Sequence, residues 1–423
     1  MKNTLSLLLA VVLVLGLAIP ALAGDVTEIT YWYPHSGLDQ QSLIKSVEEF
    51  NAANPDIHVN AEFIGGSGSG QGITDKLTVA INGGTPPDVA LFDRFMVAQW
   101  ANGGLFEDLT DYAEKYGVTK DKFYDFAWNE ASYKGRLYAF PFDTDVRALY
   151  YNKTLLEAAG FTEPPKTTDD LMTYAKALTK KQGNRFEVIG FAPWLNQGWL
   201  YTWGWAFGGQ FQGPDGRITA NDPKIVEALT WEKTFADEFN IESVADFNNA
   251  AQGSDMNIFA AEMVAMVVSG PWEIASYRDQ NPDLKFGVAP IPTPTGTNNN
   301  SWAGGWSHVV PKGSAHPEAA AKFAAFMTVG QGAINYGEET THFLSCKELN
   351  SNLSFAKGDP DFQVFLDIFP TAYSRPPIPA GQLLWDELVT ATDNALYGRG
   401  EPQALLDGVT EKVNAELDKL AAQ

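Results

Sequence analysis

Three charged residues interrupt an otherwise apolar segment and are the first candidates for chemistry. Asp143, Asp145 and Arg147 stand at alternate positions within AFPFDTDVRALYYNK, residues 139–153. Because the side chains of a β-strand alternate between its two faces, the three charges share one face and the intervening residues share the other. Two explanations are open: a solvated edge strand with an Asp–Arg pair, or a polar site.

Catalysis by these carboxylates is disfavoured by their spacing. Neighbours on one strand face project in parallel, whereas glycoside hydrolases set two carboxylates on opposite sides of the scissile bond. The five histidines (35, 58, 308, 316 and 342) are scattered, Cys346 is the single cysteine, and neither H-E-x-x-H nor C-x-x-C occurs. We therefore predict no enzyme activity, no metal and no cofactor.

Aromatic residues are the second candidate group, with 12 Trp, 15 Tyr and 26 Phe. Four of the tryptophans lie in WLNQGWLYTWGW, residues 194–205. Helical spacing would place Trp199 and Trp203 on one face, with Trp194 on the loop that enters the helix. We expect one or two of the four to contact a ligand and the others to pack in the core, and the spacing does not distinguish them.

Composition and the N-terminus limit the compartment and the partners. The 52 acidic and 29 basic residues give a net charge of −23, which disfavours nucleic acid and anionic membranes as partners. Lys2, the apolar run 5–19 and Ala21-Leu22-Ala23 predict a secretory signal over residues 1–23, and hence an exported, periplasmic protein. The remaining length predicts two lobes.

The order of the first elements predicts an α/β fold. Apolar alternation predicts strands at 26–33, 57–63 and 87–92, and helical periodicity predicts helices at 38–54 and 73–82 between them. A β-α-β-α-β order favours a parallel sheet covered by helices. Further helices are predicted at 168–182, 222–239, 317–329, 382–397 and 402–421, and a strand at 262–269.

Several blocks together resemble a known family. They are TYWYPHSG, VEEFNAANPDIHV, GGTPPDVALFDRF, YAFPFDTDVRALYYNKTLLEAAG, MVVSGPW and WAGGWSHVVPKGSAHPEAAAKFAAFM. In order and spacing the chain resembles the extracellular solute-binding proteins (family 1) that serve ABC importers, in particular the carbohydrate-binding branch that includes maltose-binding protein.

The resemblance implies a periplasmic-binding-protein fold, with two α/β lobes joined by three hinge crossings and a ligand cleft between the lobes. One lobe would comprise residues 24–143 and about 307–338, the other about 146–303 and 344–423. The crossings would fall at 142–147, 303–308 and 336–344. Asp143, Asp145 and Arg147 would then line the cleft floor, with no desolvation cost while the cleft is open.

The same resemblance implies the remaining ligand-binding residues. Asp93-Arg94 matches the family's Asp-Arg pair, and Trp272 matches its stacking Trp after a Gly-Pro turn. Trp385 matches a second stacking Trp, although a core position explains it equally well. Gly304 marks either a close approach to ligand or an ordinary bulge. The other candidates near the cleft are Tyr33, His35, Trp302 and Trp306, whereas Arg375 is expected on a surface loop.

These features predict a monomeric receptor that binds a neutral sugar or oligosaccharide and passes it to membrane permease subunits. One alternative keeps the receptor but changes the ligand to a quaternary ammonium held by aromatic rings. The arginine of Asp93-Arg94 would repel such a cation. A second alternative, an exported glycoside hydrolase, requires opposed carboxylates that the sequence does not provide.

Overall fold

A computed structural model describes residues 26–65, 71–183, 185–251, 256–297 and 300–422. The predicted signal, residues 1–23, lies outside the described residues. Within these ranges, no helix combines the length and the apolar character required to cross a membrane.

The largest sheet has five strands and contains the predicted parallel core. Its first three strands are parallel, and the last two pair antiparallel with their neighbours. In spatial order the strands are Ile57–Phe63, Thr27–Tyr33, Val89–Asp93, Trp306–Val309 and Ala139–Pro141. The predicted β-α-β-α-β order is therefore correct, because helices Gly37–Ala53 and Gln71–Asn82 lie between the three parallel strands along the chain.

Two smaller sheets follow along the chain. The first is antiparallel, with strands in the order Met266–Ser269, Ala148–Asn152 and Phe286–Ala289. The second has four strands in the order Phe343–Leu344, Asp143–Val146, Ser301–Gly304 and Ala372–Ser374. Two-stranded ladders join Ser132–Tyr133 to Arg136–Leu137 and Lys180–Gln182 to Arg185–Val188.

The four-stranded sheet positions the site because it brings the three predicted crossing segments side by side. Asp145 pairs with Gly304 of the second segment, and Asp143 pairs with Leu344 of the third. Asp143–Val146 also follows a strand of the five-stranded sheet and precedes one of the three-stranded sheet. A change in the angle between those two sheets must therefore pass through this short strand.

Helices cover the sheets, and most of the predicted ones agree with the structure to within one or two residues. The helix predicted over 168–182 ends earlier, at Leu178, because the chain then turns into the strand Lys180–Gln182. The α-helices are Gly37–Ala53, Gln71–Asn82, Val97–Asn102, Thr110–Lys115, Asp125–Glu130, Lys153–Ala158, Thr168–Leu178, Leu200–Ala206, Pro223–Phe239, Ile241–Ala251, Trp272–Gln280, Pro317–Val329, Gln331–Thr340, Lys347–Asn350, Pro360–Ile368, Gly381–Leu396 and Pro402–Ala421. Single 3₁₀ turns lie at Arg94–Met96, Lys120–Lys122 and Phe369–Thr371.

Candidate functional site

A cavity of about 1150 Å³ opens against the four-stranded sheet and is called the cleft below. Its volume is slightly above the roughly 300–1,000 Å³ typical of small-molecule sites. Most of the predicted site residues line it: His35, Asp93, Asp143, Asp145, Arg147, Trp199, Trp272, Trp302, Gly304, Trp306 and Trp385.

The floor of the cleft consists of Asp143, Asp145 and Arg147. Asp143 Oδ1 accepts a hydrogen bond of 2.6 Å from the backbone N–H of Trp306, and Asp145 Oδ1 accepts one of 3.0 Å from that of Gly304. Arg147 forms an ion pair with Asp145. Each charge is thus held by the protein before any ligand binds.

Asp143 and Arg147 are buried and the side chain of Asp145 is only 17% exposed, so the expectation that the floor charges carry no desolvation cost is wrong. Asp143 is only 3% exposed, because its strand lies in the interior of the four-stranded sheet. Burial raises the pKa of Asp143 to about 6. Burial also acts to raise the pKa of Asp145, but the attraction of Arg147 and its hydrogen bond outweigh it and the pKa is lowered.

Arg147 connects the floor to the aromatic residues. Its guanidinium carbon lies 4.0 Å from the centroid of the Trp302 ring and 5.2 Å from that of Trp272. Its Nε donates a 3.2 Å hydrogen bond to Gln197 Oε1. Trp302 itself is buried, and its indole N–H has no hydrogen-bond partner among the described residues. Trp302 therefore contributes its ring to the cleft, while its buried N–H group is left without a partner.

Arg375 is a correction to the sequence-based prediction of a surface arginine. It is buried and lines the cleft. Its guanidinium forms ion pairs of 3.2 Å with Asp93 and 3.4 Å with Glu130, and its carbon lies 4.2 Å from the Phe95 ring centroid. The sequence gives no local signal for this arrangement, because Glu130 stands 245 positions away.

Arg94 is a correction in the opposite direction, because it does not line the cleft. Its side chain is fully buried and forms a 3.1 Å ion pair with Glu130. It donates to the carbonyls of Asp143 and Gly304 and to the hydroxyl of Ser345. These three partners lie on or beside the three crossing segments, so Arg94 ties the crossings together and is not free to bind a ligand. Arg94, Glu130, Arg375 and Asp93 form what is called the ion cluster below.

Close approaches within the protein explain the glycines of the site. A Cβ on Gly304 would lie 2.9 Å from Asp145 Oδ1, and one on Gly305 would lie 2.5 Å from the carbonyl oxygen of Asp143. Gly305 also has a positive φ of 135°, which side chains rarely allow. In the S-G-P-W segment, a Cβ on Gly270 would meet the Trp272 ring at 2.0 Å. Gly270 therefore allows the indole to fold back over the chain.

The aromatic wall of the cleft consists of Trp199, Trp272 and Trp385. Trp272 is the first residue of its helix and is partly buried. Trp199 immediately precedes the helix Leu200–Ala206 and is 38% exposed, and its ring centroid lies 5.1 Å from that of Trp385. These indoles present apolar faces that a flat ligand can cover.

Three predicted site residues lie elsewhere. Trp203 is fully buried, donates its indole N–H to the carbonyl of Pro193 and packs on Trp231, so it belongs to the core. Tyr33 is also a core residue, because its ring is buried and packs against those of Tyr31 and Phe63. Trp194 lines a neighbouring cavity instead of the cleft.

Two histidines line the cleft, and only His35 was predicted as a site residue from the sequence. His35 lies edge-on to the Trp306 ring with centroids 4.6 Å apart, and burial lowers its pKa to about 3. The ring is therefore neutral, and its buried Nε2 has no hydrogen-bond partner within the described ranges. His342, on the third crossing segment, also lines the cleft and was not singled out from the sequence.

Amide and acidic side chains complete the lining and were also missed. Gln197 had a possible signal, because it stands between two tryptophans of the 194–205 run. Gln99 comes from the helix Val97–Asn102. Gln382 and Asp386 lie one turn apart on the helix Gly381–Leu396, which also carries Trp385, so the helical spacing of Gln382 to that tryptophan was an available signal. Within the described ranges, no group of three or more His, Cys, Asp or Glu side chains is arranged to hold a metal ion.

Comparisons with known proteins agree with this geometry. A family model described as bacterial extracellular solute-binding protein matches residues 36–331. The maltotriose-binding protein of Pyrococcus abyssi is 25% identical over 402 residues, covering 93% of this chain and 82% of that protein. The maltodextrin-binding protein MdxE of Bacillus subtilis is 26% identical over 325 residues, covering 76% and 75%.

A solved structure of CpMnBP1 with mannotriose bound matches the fold with a TM-score of 0.80 and 28% identity, covering 92% of this chain and 100% of that one. The predicted two-lobed α/β fold is thereby confirmed. All of these matches are described as binding proteins or are solved with a sugar bound.

Proposed function

Because the chain belongs to the bacterial extracellular solute-binding protein family, we propose that it is the receptor of an ABC importer, and that it binds a neutral sugar or oligosaccharide in the cleft and delivers it to the membrane permease. The observation that carries the proposal is the aromatic wall standing over a floor of paired charges in one cavity. The sugars named for its relatives supply the ligand class.

Sugar chemistry fits both parts of the cleft. A pyranose has apolar C–H faces, which the indoles of the aromatic wall can cover. Its edge carries hydroxyl groups, which can donate to Asp143 and Asp145 and accept from Arg147. Charge-assisted hydrogen bonds of this kind are stronger than neutral ones, so the floor would fix the orientation of the ligand.

A quaternary ammonium ligand is disfavoured by the guanidinium groups of the cleft. Arg147 lies 4.0 Å from the Trp302 ring centroid and Arg375 lies 5.2 Å from it, so this ring already has cations as neighbours. Another cation at the same ring would be repelled by both.

Binding without chemical change is part of the proposal. The cleft carboxylates are already engaged: Asp143 by the Trp306 N–H, Asp145 by Arg147, Asp93 by Arg375, and Asp386 by the side-chain amide of Gln382. A glycoside hydrolase requires one carboxyl group free to donate a proton and another free to attack or to activate water.

The lobe boundaries remain as the sequence suggested, with residues 24–143 and about 307–338 in one lobe and about 146–303 and 344–423 in the other. In support, the five-stranded sheet takes its strands almost entirely from the first set, and the three-stranded sheet from the second. Export to the periplasm by the N-terminal signal and a monomeric state complete the proposal.

Thermal-shift screening tests the ligand class. Maltose, maltotriose, mannobiose, mannotriose and arabino-oligosaccharides serve as probes, with choline and glycine betaine as the alternative ligands. A sugar at 100 times its dissociation constant should add about 2.7 kcal/mol of stability. A shift with choline or glycine betaine and none with any sugar would contradict the proposal.

A further inference from the structure

A second cavity, of about 350 Å³, adjoins the cleft and has no role in the function described so far. It lies between the helices Ile241–Ala251 and Gly381–Leu396, beside the segment 194–201, and is called the side groove below. Trp199 and Trp385 line both cavities. The cleft and the side groove therefore meet at these two rings.

Two exposed aromatic rings line the side groove. Among the described residues, the most exposed Trp and Tyr side chains are Trp199, at 38%, and Tyr397, at 37%. Leaving large rings in water forgoes the stabilisation that burial would give. Their convergence on one groove is the arrangement expected of stacking surfaces that a ligand covers.

Polar groups of the side groove suit hydroxyl-bearing ligands. The amides of Asn248 and Asn249 and the hydroxyl of Thr392 lie among apolar walls formed by Val244 and Leu388. The Thr392 Oγ1 atom is buried and has no hydrogen-bond partner within the described residues. Few polar groups on apolar and aromatic walls are typical of small-molecule sites.

Charge in the side groove disfavours an anionic ligand. Asp393 is the one lining residue with a carboxylate, and no lysine or arginine lines the groove among the described residues. Arg399 acts on Asp393 from outside the lining, so an anion in the groove would face the Asp393 carboxylate with no lining cation to bind it. The volume of the groove is close to the lower limit for small-molecule sites and admits a short extension of a larger ligand.

We propose that the side groove binds the outer sugar units of an oligosaccharide whose inner units occupy the cleft. This inference rests on the proposed function and makes it more specific, because the ligand is then an oligosaccharide that bends around Trp199 and Trp385. Affinity should rise with chain length until the groove is filled.

Calorimetric titration with two series of probes, maltose to maltohexaose and mannobiose to mannohexaose, tests the inference. Tyr397→Ala removes an aromatic ring that lines the groove but not the cleft. Ala245→Trp places a large side chain in the groove from the helix Ile241–Ala251. Each variant should weaken binding of the longest probe about tenfold, equivalent to about 1.4 kcal/mol, and should leave the affinity for the disaccharide unchanged. Phe63→Ala is the matched control, because Phe63 is an exposed aromatic that lines neither cavity.

The outcomes separate the two proposals. If a disaccharide binds as tightly as any longer probe, or if both groove variants leave the length dependence intact, the side groove is not a sugar site and the proposed function stands. If both variants weaken every length equally, the side groove inference is again wrong. If no member of either series binds, and no arabino-oligosaccharide does, the proposed function and the side groove inference fail together.

Discussion

The floor and the aromatic wall of the cleft differ in how far their side chains are buried and paired within the protein. The floor charges are buried or, for Asp145, largely buried, and they are already paired with each other or with backbone groups, so they are part of the folded framework. The wall residue Trp199 is partly exposed, and neither Trp272 nor Trp385 is fully buried. Changes near the floor should therefore act on stability, and changes in the wall on affinity.

Breaking the ion cluster beneath the floor should have the largest effect. Glu130→Gln would leave the buried guanidinium of Arg94 without a carboxylate, which typically costs about 3–5 kcal/mol of unfolding free energy. Urea denaturation measures the change. The control is Glu107→Gln, whose partner Lys312 is 59% exposed, so that the ion pair should contribute less than about 1 kcal/mol. Similar small losses in both variants would show that the ion cluster does not stabilise the crossings.

Two tryptophan variants should separate affinity from stability. Trp272→Ala should weaken sugar binding by about 2–4 kcal/mol, more than any other single aromatic truncation, with little change in stability. Trp203→Ala should instead lose about 3–5 kcal/mol of stability, because it leaves a cavity in the core. Calorimetry and urea denaturation of both variants test this. A Trp272→Ala protein that unfolds easily but binds normally would reverse the assignment.

Asp143 should give the floor a pH dependence. Its folded pKa of about 6 lies above the unfolded value of about 3.9, so its contribution to stability is fully present below the unfolded pKa and is lost as pH rises through 6. The side chain of the Asp143→Asn variant does not titrate. As pH rises from 4 to 6, the unfolding free energy of the variant should therefore increase relative to that of the wild type, by about 3 kcal/mol at most. Denaturation of both proteins across this range is the measurement. A constant difference would show that Asp143 has an ordinary pKa.

Glu232 provides a contrast to the paired charges of the floor, because it is a buried carboxyl group that forms no ion pair with any described residue. Neither of its oxygens has a hydrogen-bond partner among the described residues, and burial raises its pKa well above the usual range. Glu232→Leu should therefore stabilise the protein by about 1–3 kcal/mol at neutral pH, as judged by urea denaturation. Glu227→Leu, on the exposed side of the same helix, should change stability by less than about 0.5 kcal/mol. A destabilised Glu232→Leu protein would contradict this assignment.

Local patterns were sufficient to predict the elements but not the ion cluster. Alternation and helical periodicity are properties of neighbouring residues, so the parallel strands and most helices could be predicted. Glu130 meets Arg94 and Arg375 across 36 and 245 positions, and no local spacing encodes that meeting. The resemblance to a family predicted an arginine at position 94, but it did not predict that this side chain points away from the cleft and binds the crossing segments.

Tryptophans of the 194–205 run show the same limit. Trp199 and Trp203 have helical spacing, yet one is 38% exposed and the other is fully buried. The difference arises from tertiary packing, because Trp203 meets Trp231 of the helix Pro223–Phe239, whereas Trp199 lies at the helix start. Spacing alone could not decide which ring would be available to a ligand.

A crystal structure with the tightest-binding sugar of the screen tests the central claim most directly. We expect the sugar in the cleft, with one ring face on Trp272 and hydroxyl groups within hydrogen-bond distance of Asp143, Asp145 or Arg147. An empty cleft at saturating sugar, or a sugar bound away from both the floor and the aromatic wall, would contradict the proposed function.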